Sequence, residues 1–150
     1  LGDVYKRQPF TREEPFFSKF NELMKVTDLF MLDIKQIDDE KHKKLTGWTN
    51  SNILDLAQYL SDNGKAMWIR HVLVPGITTD DADLEKLRDF VGSLKTVERF
   101  EILPYHTLGV FKWENLGIPY ELGDVMPPTK EEIAHAEEIL HTADYKDYAK

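Results

Sequence analysis

Four residues of this 150-residue chain have side chains suited to building a ligand site: Asp33, Lys35, Arg70 and His106. Asp33 and Arg70 are 37 residues apart, and Arg70 and His106 are 36 apart, so they recur at matching places in successive units. Lys35 and Arg70 suit a carboxylate or a phosphate, the arginine in bidentate fashion. Asp33 can accept hydrogen bonds from sugar hydroxyls or an ammonium. His106, next to Tyr105, offers hydrogen bonding and a flat surface for a base. An amino acid joined to a nucleoside would satisfy all four groups, and so would a sugar phosphate. Each residue also has a plainer reading. Asp33 and Lys35 would form an ion pair where a strand emerges, Arg70 would point outward from a strand, and His106 would be a hydrogen-bonded loop histidine. The residues alone leave this open.

Groups so far apart in sequence meet only if regular elements carry them to one place. In PFFSKFNELMKV, residues Phe16, Phe17, Phe20, Leu23 and Met24 share one helical face, with Pro15 at the first turn. The run Thr27–Lys35 reads as a strand buried on both sides. DDEKHKKLTG reads as a short helix or turn ending near Gly47. Ile53, Leu56, Ala57 and Leu60 make a second stripe, with Asn50 or Ser51 as its cap and Gly64 as its stop. Ala66–Gly76 is a second strand. Leu84, Leu87, Val91 and Leu94 line the next helix, whose first turn is acidic, as the dipole favours. Val97–His106 is a third strand, and a long aromatic loop follows it. Thr129 and Glu132 then make a capping-box pattern at a last helix. This alternation predicts an α/β fold with three parallel strands alternating with helices. In such folds ligands bind at the C-terminal ends of the strands, where Asp33, Lys35, Arg70 and His106 would converge.

Composition narrows the function classes. A chain of 150 residues is about one domain, and 41% hydrophobic residues with 31% charged residues is ordinary globular usage. The net charge of −8 opposes a phosphate backbone, so nucleic acid is set aside as a partner. No apolar run reaches the roughly 20 residues of a membrane helix, and without a signal-peptide pattern the expected compartment is the cytoplasm. There is no cysteine, so the chain supplies no thiolate to zinc or to an iron–sulfur cluster. His42, His71, His135 and His141 lack metal spacing and read as surface or packing residues. Trp48, Trp68 and Trp113 read as core or interface residues. The acidic run Asp80, Asp81, Asp83 and Glu85 reads as a solvated helix start, lacking the glycine and final glutamate of a calcium loop.

The segments VTDLFMLDIK, KAMWIRHVLVPGITTD, FEILPYHTLGVFKWENLGIPY and VMPPT, taken in order, resemble the C-terminal half of pyruvate formate-lyase activating enzymes. The likeness runs from about Gln8 to Leu140. It implies the C-terminal part of a partial (β/α) barrel from a radical S-adenosylmethionine enzyme. Such an enzyme uses a 4Fe–4S cluster and S-adenosylmethionine to make a 5′-deoxyadenosyl radical, which generates a glycyl radical on pyruvate formate-lyase. The resemblance also implies a flavodoxin- or ferredoxin-type reductant. Carried over residue by residue, it implies cofactor contacts by Asp33, Ile34 and Lys35, with Arg70 near the methionine end and His106 near the adenosine end. Met31 and Asp33 would line a monovalent-cation site. In the loop after His106, Phe111, Trp113 and Tyr120 would either help to meet the lyase or pack within the loop itself. The family's three-cysteine cluster motif and its Gly-Gly-Glu stretch are both missing from this sequence, so the isolated chain is expected to be inactive.

The opening residues resemble the translation of a transposon end used in preparing sequencing libraries. Residues 1–7 are accordingly expected to be a scar, and residues 8–150 the C-terminal part of the barrel domain. Two alternatives stand beside this reading. One is an aldolase-like barrel fragment with Lys35 as a Schiff-base nucleophile. The other is a cluster-less ligand-binding α/β module.

Overall fold

A computed structural model of the chain describes residues 10–120 and 122–145; the scar expected at residues 1–7 lies outside them. Its elements, in order, are α1 (Phe16–Lys25), β1 (Leu29–Asp33), α2 (Asp39–Thr46), α3 (Ser51–Asp62), β2 (Ala66–Leu73), α4 (Asp81–Ser93), β3 (Val97–Pro104), α5 (Val110–Asn115) and α6 (Lys130–Leu140), followed by a 3₁₀ turn at Thr142–Asp144. The strands form one parallel sheet in the order β1-β2-β3. This is the expected α/β architecture.

Local chemistry sets most of the boundaries. Asp38 caps α2 by accepting from the Lys41 amide, and Gly47 closes that helix at φ 79°, where a side chain would be strained. Thr129 and Glu132 form the full capping box of α6. Asn50 precedes α3 but does not cap it. Its amide donates instead to the carbonyls of Gln36 and Ile37, at 3.2 and 2.7 Å, and so ties the segment after β1 to the start of α3. The third strand stops at Pro104, short of the predicted His106. The aromatic segment read as a loop contains the one-and-a-half-turn helix α5.

The core lies on one face of the sheet. Leu32, Met67, Ile69, Leu73, Phe100 and Ile102 pack there against Ala57 and Leu60 of α3, Leu84, Leu87 and Val91 of α4, and Ala136 and Leu140 of α6. Along β2 burial alternates strictly, with Trp68, Arg70 and Val72 on the side away from these helices. The reading of β1 as buried on both sides is overturned, because Met31 is 57% exposed. Among the described residues helices cover one side of the strand, and Met31 and Asp33 occupy the other. Leu23, read as part of the inner stripe of α1, is also exposed.

Candidate functional site

The open face of the sheet holds the predicted cluster. Asp33 is the last residue of β1 and sits directly opposite Arg70 on β2, which in turn sits opposite Glu101 on β3. Opposed residues on neighbouring parallel strands point to the same side, so one row across the sheet reads carboxylate, guanidinium, carboxylate. Arg70 Nε donates to Asp33 Oδ1 at 2.7 Å, and Lys35 Nζ donates to Asp33 Oδ2 at 3.1 Å. Asp33 therefore holds both cations through its two oxygens. The terminal nitrogens of Arg70 take no partner among the described residues, which leaves its outer edge open to a bidentate acceptor. One row back, Arg99 lies over the Trp68 ring at 4.8 Å and reaches Glu101 at 3.5 Å. Met31 shares this face with Asp33, two residues earlier.

Arg70 is not at a strand end, as the spacing suggested; it is the fifth residue of the eight in β2. His106 is not drawn into the cluster either. It is exposed beyond the end of β3 and makes no hydrogen bond among the described residues. Tyr105 marks that level, its amide donating to the Leu73 carbonyl at 3.0 Å. His106 is five positions beyond Glu101, the register partner of Arg70, or about 16 Å along the strand direction at ~3.3 Å per residue. The structure thus brings Asp33, Lys35 and Arg70 together and sets His106 apart, beyond the end of β3.

The segment that carries Lys35 is pinned from several sides. The Ile34 amide donates to the Arg70 carbonyl at 3.0 Å, and the Ile34 carbonyl meets His71 Nδ1 at 2.9 Å. Buried Gln36 donates to Asp83 Oδ2 at 3.1 Å and accepts from the Asp38 amide. Lys41 donates to the same Asp83 oxygen at 2.6 Å. Asp83 is 4% exposed, so the acidic run of α4 is not simply a solvated helix start. His71 and His42 are likewise buried; burial pushes the His71 imidazole below its ordinary pKa, against the bonds to Ile34 and Thr78. Burial of the two histidines agrees with their reading as packing residues, whereas the type and spacing of Asp83 gave no warning of its burial. The missing information was long-range, since Asp83 meets Gln36 across 47 residues. A cleft of about 620 Å³ lies beside this network, lined by Lys41 and Lys44 of α2, Thr79 and Asp80 before α4, and Leu122. None of Asp33, Lys35, Arg70 or His106 lines it.

Comparison with known proteins agrees with this architecture. A pyruvate formate-lyase-activating enzyme of Streptococcus mutans is 53% identical over 141 residues, covering 94% of this chain and 54% of the relative. The chain is a homologue of the pyruvate formate-lyase-activating enzymes. The same name belongs to relatives in Listeria monocytogenes, 50% identical over 91% of this chain and 55% of theirs, and in Staphylococcus epidermidis, 58% identical over 83% of this chain and 50% of theirs. The chain thus spans about half the length of these activating-enzyme relatives, and corresponds to their C-terminal half. No protein-family model matches it. Among solved structures, a crystallised domain of a pyruvate-formate lyase-activating enzyme from Bacteroides vulgatus superposes with a TM-score of 0.69 at 22% identity, covering 86% of this chain and 71% of that one. A radical SAM methyltransferase from Sphaerobacter thermophilus gives 0.56 at 17% identity, over 77% of this chain and 31% of its own. These two likenesses speak to the fold.

Proposed function

We propose that this chain forms one wall of an S-adenosylmethionine pocket in an enzyme that activates pyruvate formate-lyase. The observation that carries the proposal is the Asp33–Arg70 pair on the open sheet face, with Lys35 on the second carboxylate oxygen. Arg70 offers its unpartnered outer nitrogens to a carboxylate, and Lys35 adds positive charge beside it. Asp33, fixed between the two, can accept from an ammonium. His106 would serve the nucleoside end, and its separation from Arg70 along the strands suits an extended amino acid–nucleoside conjugate. Ile34 contributes its backbone, and Met31 with Asp33 would line a monovalent-cation site. When bound with a 4Fe–4S cluster, the cofactor would supply the radical chemistry. The cluster itself does not fit this chain, which has no thiolate to offer it. The residues of this chain would bind and orient the cofactor. The Schiff-base alternative gains nothing from the geometry, because Lys35 is 40% exposed and salt-bridged to Asp33, not enclosed in an apolar pocket.

The test is complementation. Residues 9–150 are joined to the half of the Streptococcus mutans relative that this chain does not match, and lyase activation is followed by the electron paramagnetic resonance of the glycyl radical. The expected result is a radical that disappears when S-adenosylmethionine is left out. A well-folded chimera with its cluster intact and no radical would sink the proposal.

A further inference from the structure

His71 lies on the core face of β2 between Ile69 and Leu73, in a row where apolar side chains would pack, and it is 3% exposed. Its ring spans two backbone carbonyls, Ile34 O at 2.9 Å from Nδ1 and Thr78 O at 3.3 Å from Nε2. A neutral imidazole has one N–H, so the shorter contact assigns that proton to Nδ1. The bond matters because of where Ile34 sits. Regular pairing of β1 with β2 ends at Asp33 opposite Arg70, and the Ile34 amide makes the last backbone bond between these strands, to the Arg70 carbonyl. Beyond that point the Ile34 carbonyl, on a residue with no exposed surface, takes its donor from the His71 side chain. On the other side, Thr78 is itself locked: its hydroxyl accepts from the Val74 amide and donates to the Val72 carbonyl, both at 2.8 Å. With its proton on Nδ1 the ring has no donor left for the Thr78 carbonyl, so His71 ties the segment carrying Asp33 and Lys35 to β2 itself.

We propose that His71 is a positioning residue of the candidate site, whose Nδ1–H···O=C bond to Ile34 fixes the direction in which Asp33 and Lys35 leave the sheet. A leucine would fill the same volume but would leave a buried carbonyl without a donor, freeing the segment to shift. An asparagine at this position keeps an amide donor close to where Nδ1 lies.

The effect on ligand binding rests on the S-adenosylmethionine reading above; the positioning role itself does not, so the experiment has two arms. In the first, long-range proton–nitrogen spectra of the wild-type chain report the ring tautomer, and hydrogen exchange reports the Ile34 amide, which is bonded to the Arg70 carbonyl. Nδ1 should carry the proton. Exchange at that amide should rise about tenfold in His71→Leu and stay within about threefold of wild type in His71→Asn. An Nε2–H tautomer, or unchanged exchange in His71→Leu, overturns the proposal; the tautomer needs no variant and decides the matter even if His71→Leu fails to fold. In the second arm, calorimetric titration with S-adenosylmethionine should show roughly tenfold weaker binding for His71→Leu and near-normal binding for His71→Asn. A His71→Leu chain that melts earlier yet binds as wild type has lost only packing, and that overturns positioning. If the wild type binds no better than Asp33→Asn, the cofactor reading fails, and the first arm alone judges His71.

Discussion

At the scale of single residues, Asp33 organises the site. Its two oxygens hold Arg70 and Lys35, and all three side chains are 31–40% exposed. Ion pairs this open contribute little to folding, about 0–1 kcal/mol, because water screens them. Their value lies in orientation. Asp33→Ala should therefore shift the melting temperature only slightly while weakening S-adenosylmethionine binding by about tenfold or more, as loss of a charge-assisted partner does. Calorimetric titration and a thermal melt on the same sample separate the two effects. A large loss of stability with unchanged affinity would make Asp33 a structural residue.

At the scale of elements, the connections after the strands hold the site, and two contacts can be tested there. Asn50→Ala removes the donor to the Gln36 and Ile37 carbonyls. It should cost about 2 kcal/mol by denaturant unfolding, more than a lost helix cap of ~1 kcal/mol such as Thr129→Ala. Equal costs would mean that Asn50 acts only at the start of α3. The segment after β3 is closed by a hydrogen bond between the Tyr105 and Tyr120 hydroxyls at 2.9 Å, with Trp113 against the Tyr120 ring. That bond pushes the Tyr105 hydroxyl up to about 12. A phenol raised in the folded state contributes stability in full below its unfolded value near 10, and this is lost as pH rises from about 10 to about 12. Absorbance titration should show Tyr105 ionising late in the wild type and near its ordinary value in Tyr120→Phe. Unchanged titration would mean the hydroxyl pair does not form.

For the whole molecule, the sheet divides the chain into a packed side and an open side. Helices α3, α4 and α6 bury one face, and the face opposite carries the Asp33–Arg70–Glu101 row. Beyond the strand ends, the segment from Leu108 to Met126 exposes Leu108, Phe111, Trp113, Leu116, Ile118 and Met126. We propose that the lyase meets Phe111 and Trp113 there, while Tyr120 serves the closure of the loop. Trp113→Ala in the complementation chimera should lower the rate of glycyl-radical formation several-fold through weaker lyase binding, with S-adenosylmethionine affinity unchanged. Undiminished activation would return Trp113 to packing within its own loop.

The sequence by itself determined the alternation of strands and helices apart from α5, the parallel sheet, and the meeting of Asp33, Lys35 and Arg70. Periodicity and capping are local; equal spacing carried Asp33 to Arg70 but not His106, because the register of β3 sets Glu101 beside Arg70. Tertiary structure alone decided the rest. Asn50 has the type of a cap but bonds 13 and 14 residues back, Asp83 has the type of a solvated carboxylate but is buried against Gln36 and Lys41, and His71 has the type of a packing residue but holds the Ile34 carbonyl across the sheet. Each of these roles depends on a partner far away in sequence, because a buried polar group must be satisfied by whatever the fold brings next to it.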